Sequence, residues 1–249
     1  MKIAFFGGTF DPPHRGHLAL ACLALDRLHL DRVLMAPVGA QPLKRDLSTA
    51  GFADRIAMTR LAIAGHPHLE LSLADEPRLD GRPNYTVDTI TALRRTLQPP
   101  LHAEDRLFCL MGADSFLTIG KWHRAGELLT SCDFIVGARP GFDLTRIAAA
   151  LPDSVSVGVA DRSDAGSEAI CCPEADTADN CLVLALTRET GRRSFLYLLP
   201  DLAEDISATE IRTAIAGDES PAPNHPGQPV LAPAVLSYIR AHSLYQNRD

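Results

Sequence analysis

The chain has 249 residues, 46% of them hydrophobic, and a formal charge of −7 at neutral pH. That length and apolar content suffice for one large α/β domain spanning 1–249 with its own core. The acidic balance argues against a protein that grips nucleic acid, which calls for a basic face, and no apolar run approaches the roughly 18 residues of a membrane span.

Strand-like and helical runs alternate along the chain. Ile3 to Phe6 reads as a short buried strand, and Leu18 to Leu28 as a helix with leucines at 18, 25 and 28. Arg32 to Val38 reads as a second strand, Phe52 to Ala64 as a helix carrying Ile56, Leu61 and Ile63, and Leu69 to Leu73 as a third strand. Tyr85 to Leu97 follows as a helix with Thr86 near its start, stopped by Pro99-Pro100. Leu107 to Met111 is a fourth strand, Gly126 to Leu129 part of a short helix, and Phe134 to Gly137 a fifth strand. This alternation predicts a Rossmann-like α/β fold: a doubly wound parallel sheet with right-handed crossovers and helices on both faces.

The last third is less regular. Residues 143–193 read as a variable insertion. Within it, Asp161 to Asn180 is rich in Asp, Ser, Ala and Glu and reads as an exposed loop. Cys181 to Thr187 and Ser194 to Leu199 flank Arg188-Glu189-Thr190-Gly191 as a hairpin at the sheet edge. In the C-terminal helical part, 201–249, Ser207 to Ala216 is a helix with Ser207 at or near its N-cap. A proline-rich connection from Pro221 to Pro233 leads to a final helix through Ala241. Met1-Lys2-Ile3 enters the first strand without the regions of a secretory signal, so the expected location is cytoplasmic. The six cysteines form no Cys-x-x-Cys pair and read as reduced thiols.

Residues 7 to 17, Gly-Gly-Thr-Phe-Asp-Pro-Pro-His-Arg-Gly-His, lie in the first strand-to-helix turn. A helix start presents unpaired N–H groups and partial positive charge, and glycines let a phosphate approach the backbone. His14 and His17 add donors at the same point. Neither the Rossmann Gly-x-Gly-x-x-Gly nor the Walker pattern is present, which argues against a dinucleotide oxidoreductase and a P-loop NTPase. Open sheets of this kind bind ligands beyond the carboxyl ends of strands one and four. Gly7-Gly8 and Gly112-Ala113-Asp114 end those two strands. The plainer readings of His14-x-x-His17 are half a metal site or polar caps.

The same eleven residues resemble the His-x-Gly-His segment of the nucleotidyltransferase superfamily, and their wording is similar to bacterial nicotinate-nucleotide adenylyltransferases. Ile206-Ser207-Ala208-Thr209-Glu210-Ile211-Arg212 resembles the Ile-Ser-Ser-Thr-x-Ile-Arg segment of that family, with Ala208 where Ser is usual. Pro-Asn-Tyr-Thr at 83 to 86, Gly-Ala-Asp-Ser at 112 to 115, Lys121-Trp122, Arg139-Pro140-Gly141 and Pro233-x-Val235-x-x-Tyr238-Ile239 with Leu244-Tyr245 also match. The match fails mainly between about 143 and 193.

The resemblance implies adenylyl transfer from ATP to nicotinate mononucleotide, a step of NAD biosynthesis, with Mg²⁺ bridging phosphates largely through water. The attacking phosphate is already anionic, so positioning and charge neutralisation can carry the catalysis. His17 is expected at the α-phosphate and His14 at the adjacent phosphates, either imidazole gaining a proton near a polyphosphate. By resemblance, Ser207, Thr209 and Arg212 bind the β and γ phosphates, with Arg212 a mobile clamp. Gly7, Gly8, Thr9, Phe10, Gly112 and Asp114 complete the ATP half, Asp114 on a ribose hydroxyl. Trp122, the single tryptophan, stacks on the pyridinium ring, and the acceptor's carboxylate takes backbone N–H bonds near Thr86 and just after Trp122. Lys44, His123 and Arg139 join that half; His123 stands where Tyr is frequent, and Leu43 replaces a common His. Ser207 and Thr209 also suit any helix start, Trp122 alone a core, and Lys44-Arg45 a solvated loop. Rival functions are a sister transferase acting on pantetheine phosphate, nicotinamide mononucleotide or a CTP-dependent acceptor, a class I aminoacyl-tRNA synthetase, and a nucleotide sensor without turnover. The oligomeric state stays open, a homo-oligomer included.

Overall fold

A computed structural model describes residues 1–40, 49–97, 105–138, 142–143, 145–160, 181–200, 202, 206–217, 219, 221 and 228–246. In chain order the elements are β1 (Lys2–Gly8), α1 (Arg15–Leu28), β2 (Arg32–Pro37), α2 (Phe52–Ala62), β3 (Leu69–Leu71), α3 (Thr86–Thr96), β4 (Arg106–Gly112), α4 (Ala113–Phe116) and a 3₁₀ turn (Ile119–Lys121). There follow α5 (Ala125–Leu128), β5 (Asp133–Gly137), α6 (Thr145–Ala150), β6 (Val155–Val159), β7 (Leu182–Arg188), β8 (Arg193–Leu199), α7 (Ala208–Ala216) and α8 (Pro233–Ala241).

The strand order is β3-β2-β1-β4-β5-β8-β7-β6. β1, β4, β5 and β8 pair in parallel, while β8–β7 and β7–β6 are antiparallel. The fold is therefore Rossmann-like, with helices on both faces of a mixed sheet. β1 and β4 are neighbours, β6 rather than the expected hairpin stands at the sheet edge, and that hairpin is β7–β8. Its second strand returns parallel to β5, so the hairpin continues the ladder. The sequence reading missed α6 and β6, whose six and five residues are too short for a periodic signal.

By tertiary contacts the chain divides into two compact units, the first Met1–Phe6, Leu20–Val33 and Tyr85–Ala203, the second Gly7–Ala19, Leu34–Asn84 and Glu204–Asp249. The first unit is built on β4, β5 and β8, each buried along most of its length. Continuous apolar runs such as Leu107–Met111 and Phe134–Val136 suit strands covered on both faces. Phe116 meets Phe134 edge-to-face at 6.1 Å. At the end of β5 the Leu20 side chain packs onto Gly137, where a Cβ would stand 2.3 Å from Leu20 Cδ1 and displace it. Where β4 and β5 begin, the Arg106 guanidinium donates to the Asp133 carboxylate and to Tyr197 Oη. Asp133 also accepts the Phe195 N–H at 2.8 Å.

In the second unit α2, α7 and α8 share one apolar core: Met58 and Ala62, Ile211, and Val235 and Ile239, joined by Ala50, Val230 and Leu231. Local signals agree with these helices. Asp54 lies in the first turn of α2 and Arg60 in its last, matching the helix dipole, and Pro233 opens α8 where its missing N–H costs nothing.

Candidate active site

β1 ends in Gly7-Gly8, and α1 begins only at Arg15, so Thr9 to His14 form the turn. Gly8 lies under the Phe10 ring. A Cβ there would stand 3.0 Å from Phe10 Cζ. Phe10 itself is left-handed, at φ 49°, a conformation that persists in a bulky residue only when its surroundings impose it.

Three sets of bonds impose it. The Arg55 guanidinium donates to the Thr9 carbonyl at 2.8 Å, and Arg212 donates to the Asp11 carbonyl at 2.7 Å. The buried Asp11 carboxylate accepts from Thr49 N–H at 2.8 Å, Ala50 N–H at 3.2 Å and Tyr245 Oη at 2.7 Å, with Thr49 Oγ1 at 3.4 Å. Every partner donates, and only an acceptor-only group satisfies such a shell. Burial and the Asp11 bond together push the Tyr245 phenol well above its usual range.

His14 stands at the cap position of α1, its carbonyl accepting from His17 N–H at 2.9 Å and Leu18 N–H at 3.3 Å. In return the His14 N–H donates to His17 Nδ1 at 3.2 Å, a reciprocal arrangement like a capping box. Its chemical consequence is a fixed tautomer. With Nδ1 an acceptor, neutral His17 carries its proton on Nε2 and presents a donor there. The two imidazoles stack at 3.7 Å, and Phe10 meets His17 edge-on at 4.9 Å.

Burial pulls the His14 pKa down to about 4. Burial and the neighbouring His14 hold His17 well below its usual value. Both shifts favour the neutral ring in the free chain. His14 Nδ1 is buried and makes no hydrogen bond.

Arg212 lies one turn inside α7, and its Nη2 also donates to Thr209 Oγ1 at 3.2 Å. Ser207 occupies the N-cap position, yet its hydroxyl makes no capping bond. The second unit thus brings Gly7, Gly8, Thr9, Phe10, His14, His17, Ser207, Thr209 and Arg212 into one unit, with the last of them bonded to the imidazole-bearing turn.

The first unit holds the other expected residues. Gly112 is the N-cap of α4, with Asp114 in its exposed first turn. Trp122 Nε1–H donates to Thr118 Oγ1 at 3.0 Å, and the Trp122 N–H closes the 3₁₀ turn on Ile119 O. His123, exposed, stacks on Tyr85 at 4.1 Å. Tyr85 precedes Thr86, the first residue of α3, and makes no side-chain cap bond, so the first-turn N–H groups of α3 face no capping side chain. Lys44 and Arg139 lie outside the described residues.

Sequence reasoning assigned no role to Asp11, Arg55 or Tyr245. One signal was available: a carboxylate inside a turn between a buried strand and a helix needs donors, and Leu244-Tyr245 already stood among the family-like residues.

A left-handed turn, two imidazoles at a helix start and a guanidinium bonded to that turn stand together in the second unit, and the chain's relatives class it as a nucleotidyltransferase. The Cytidylyltransferase-like family model matches residues 5–214. A probable nicotinate-nucleotide adenylyltransferase of Laribacter hongkongensis is 38% identical, covering 100% of this chain and 96% of that protein. One from Pseudomonas entomophila is 34% identical over 98% and 95%. The fold is shared with Plasmodium falciparum nicotinic acid mononucleotide adenylyltransferase complexed with NaAD, at TM-score 0.64 and 16% identity over 98% and 97% of the two chains. The chain belongs to the nicotinate-nucleotide adenylyltransferase family.

Proposed function

We propose that the chain transfers the adenylyl group of ATP to nicotinate mononucleotide, giving nicotinate adenine dinucleotide and pyrophosphate. The single observation that carries the mechanism is the His14 N–H bond to His17 Nδ1, which commits Nε2–H to donation.

An oxygen of the mononucleotide's 5′-phosphate attacks the α-phosphorus in line; the new O–P bond forms as the bond to the β-phosphate oxygen breaks. Negative charge grows on the α-phosphoryl oxygens and on the leaving pyrophosphate. Donors fixed in advance stabilise that charge without reorganising. His17 Nε2–H serves the α-phosphoryl group, and His14 the phosphates beside it. Arg212 exchanges the Asp11 carbonyl for phosphate oxygens, joined by Thr209 and the uncommitted hydroxyl of Ser207. Mg²⁺ bound with the triphosphate would supply further neutralisation of the phosphate charge. In the acceptor half, Trp122 covers the pyridinium ring, and the start of α3 at Thr86 with the main chain after Trp122 takes the carboxylate.

The test is an acceptor panel. Purified protein with ATP, Mg²⁺ and nicotinate mononucleotide is expected to release pyrophosphate and form the dinucleotide, with the nicotinamide analogue used less well. Equal or better use of phosphopantetheine, or of CTP with an alcohol phosphate, would overturn the assignment.

A further inference from the structure

Arg124 is one of few residues other than glycine with a left-handed backbone, at φ 52° and ψ 43°, directly after Trp122-His123. A branched or long side chain does not choose this region unaided. Its guanidinium is held by two carboxylates from different helices. Nε and Nη2 donate to Glu127 Oε2 and Oε1 at 3.0 and 2.5 Å, and Nη1 donates to Asp88 Oδ1 at 3.1 Å. Asp88 lies in the first turn of α3, two residues after Thr86. The Tyr85–His123 ring stack joins the same two segments beside the ion pairs. Two negative charges therefore flank the backbone proposed to receive the acceptor's carboxylate, and one cation is forked between them.

We propose that Arg124 is a specificity residue for that acceptor: by offsetting one of the two charges of Asp88 and Glu127 it eases entry of an anionic pyridine carboxylate, where the neutral amide needs no such help. The inference rests on the proposed acceptor. Without the guanidinium, both carboxylates repel the acid and leave the amide nearly untouched. Through a water-like dielectric, the loss of one unit charge several ångströms away changes the relative kcat/KM by about two- to fivefold. A lysine keeps the charge but loses the planar fork, so it keeps most of the preference.

The test compares kcat/KM for nicotinate mononucleotide with that for nicotinamide mononucleotide in the wild type, Arg124→Gly, Arg124→Lys and the double variant Arg124→Gly/Asp88→Asn. Glycine suits φ 52° and relieves the backbone, so Arg124→Gly is expected to unfold at nearly the wild-type temperature while its acid preference falls about two- to fivefold through KM. Arg124→Lys keeps most of the ratio, and the double variant regains part of it. A ratio unchanged in Arg124→Gly, or equal losses for both acceptors, would overturn this role while leaving the acceptor assignment intact. A wild type that uses neither pyridine nucleotide would overturn both.

Discussion

Replacing His14 by Gln removes a titrating ring from the most constrained turn of the molecule. Burial lowers the His14 pKa from 6.5 to about 4. In the unfolded chain the same imidazole takes up a proton near 6.5, so below that pH the unfolded state binds more protons than the folded one. The stabilising effect of the neutral ring is complete above pH 6.5 and disappears as pH falls toward 4. At roughly 1.4 kcal/mol per tenfold change in proton affinity, about 2 kcal/mol is gone by pH 5 and about 3 kcal/mol by pH 4. His17, lowered in the same direction, adds to the slope. Other groups titrate here as well, so the measurement is the difference between urea unfolding curves of wild type and His14→Gln from pH 7.5 to 4.5. The wild type is expected to lose about 2–3 kcal/mol more than the variant across that range. Parallel curves would refute the claim that the ring is held neutral by burial.

Other perturbations test other parts of the account. His17→Ala should lower kcat by at least ~10²-fold, the order expected for a lost transition-state donor; steady-state pyrophosphate release at saturating ATP reads this directly. Tyr245→Phe removes one charge-assisted bond but leaves Asp11 its backbone donors, at a cost of about 1.5–3 kcal/mol. At 2–4 °C per kcal/mol for a chain of this size, calorimetry should show a fall of several degrees. Asp11→Asn should cost at least as much, because each carboxylate oxygen faces a backbone N–H, from Thr49 or Ala50, which can only donate to it. Arg106→Leu strands Asp133, which is 13% exposed; breaking a buried pair costs about 3–5 kcal/mol, and partial exposure reduces this to about 2–3, measurable by urea unfolding.

The legible parts of the sequence were the local ones. Gly7-Gly8 and the His14-x-x-His17 spacing place two glycines and two imidazoles on one strand-to-helix turn, because strand, turn and helix start are contiguous and the imidazoles lie one helical turn apart. The same holds for Ser207, Thr209 and Arg212 at the start of α7. What escaped was the bonding that connects distant segments. Asp11 and Tyr245 meet across 234 positions, and neither periodicity nor propensity records such a pairing. Arg124 drew no sequence reading; its left-handed backbone and its reach from Glu127 to Asp88 are properties of the folded chain. The neutrality of His14 and His17 is likewise set by burial, which composition does not disclose.

The most direct test of the central claim is nitrogen-15 NMR of the imidazoles in the free protein and with a non-hydrolysable ATP analogue and Mg²⁺. The account predicts that His17 is neutral in the free protein at pH 7, protonated on Nε2 with Nδ1 accepting, and that the Nε2–H signal shifts when the analogue binds. A proton on Nδ1, or a His17 signal indifferent to the nucleotide, would contradict it.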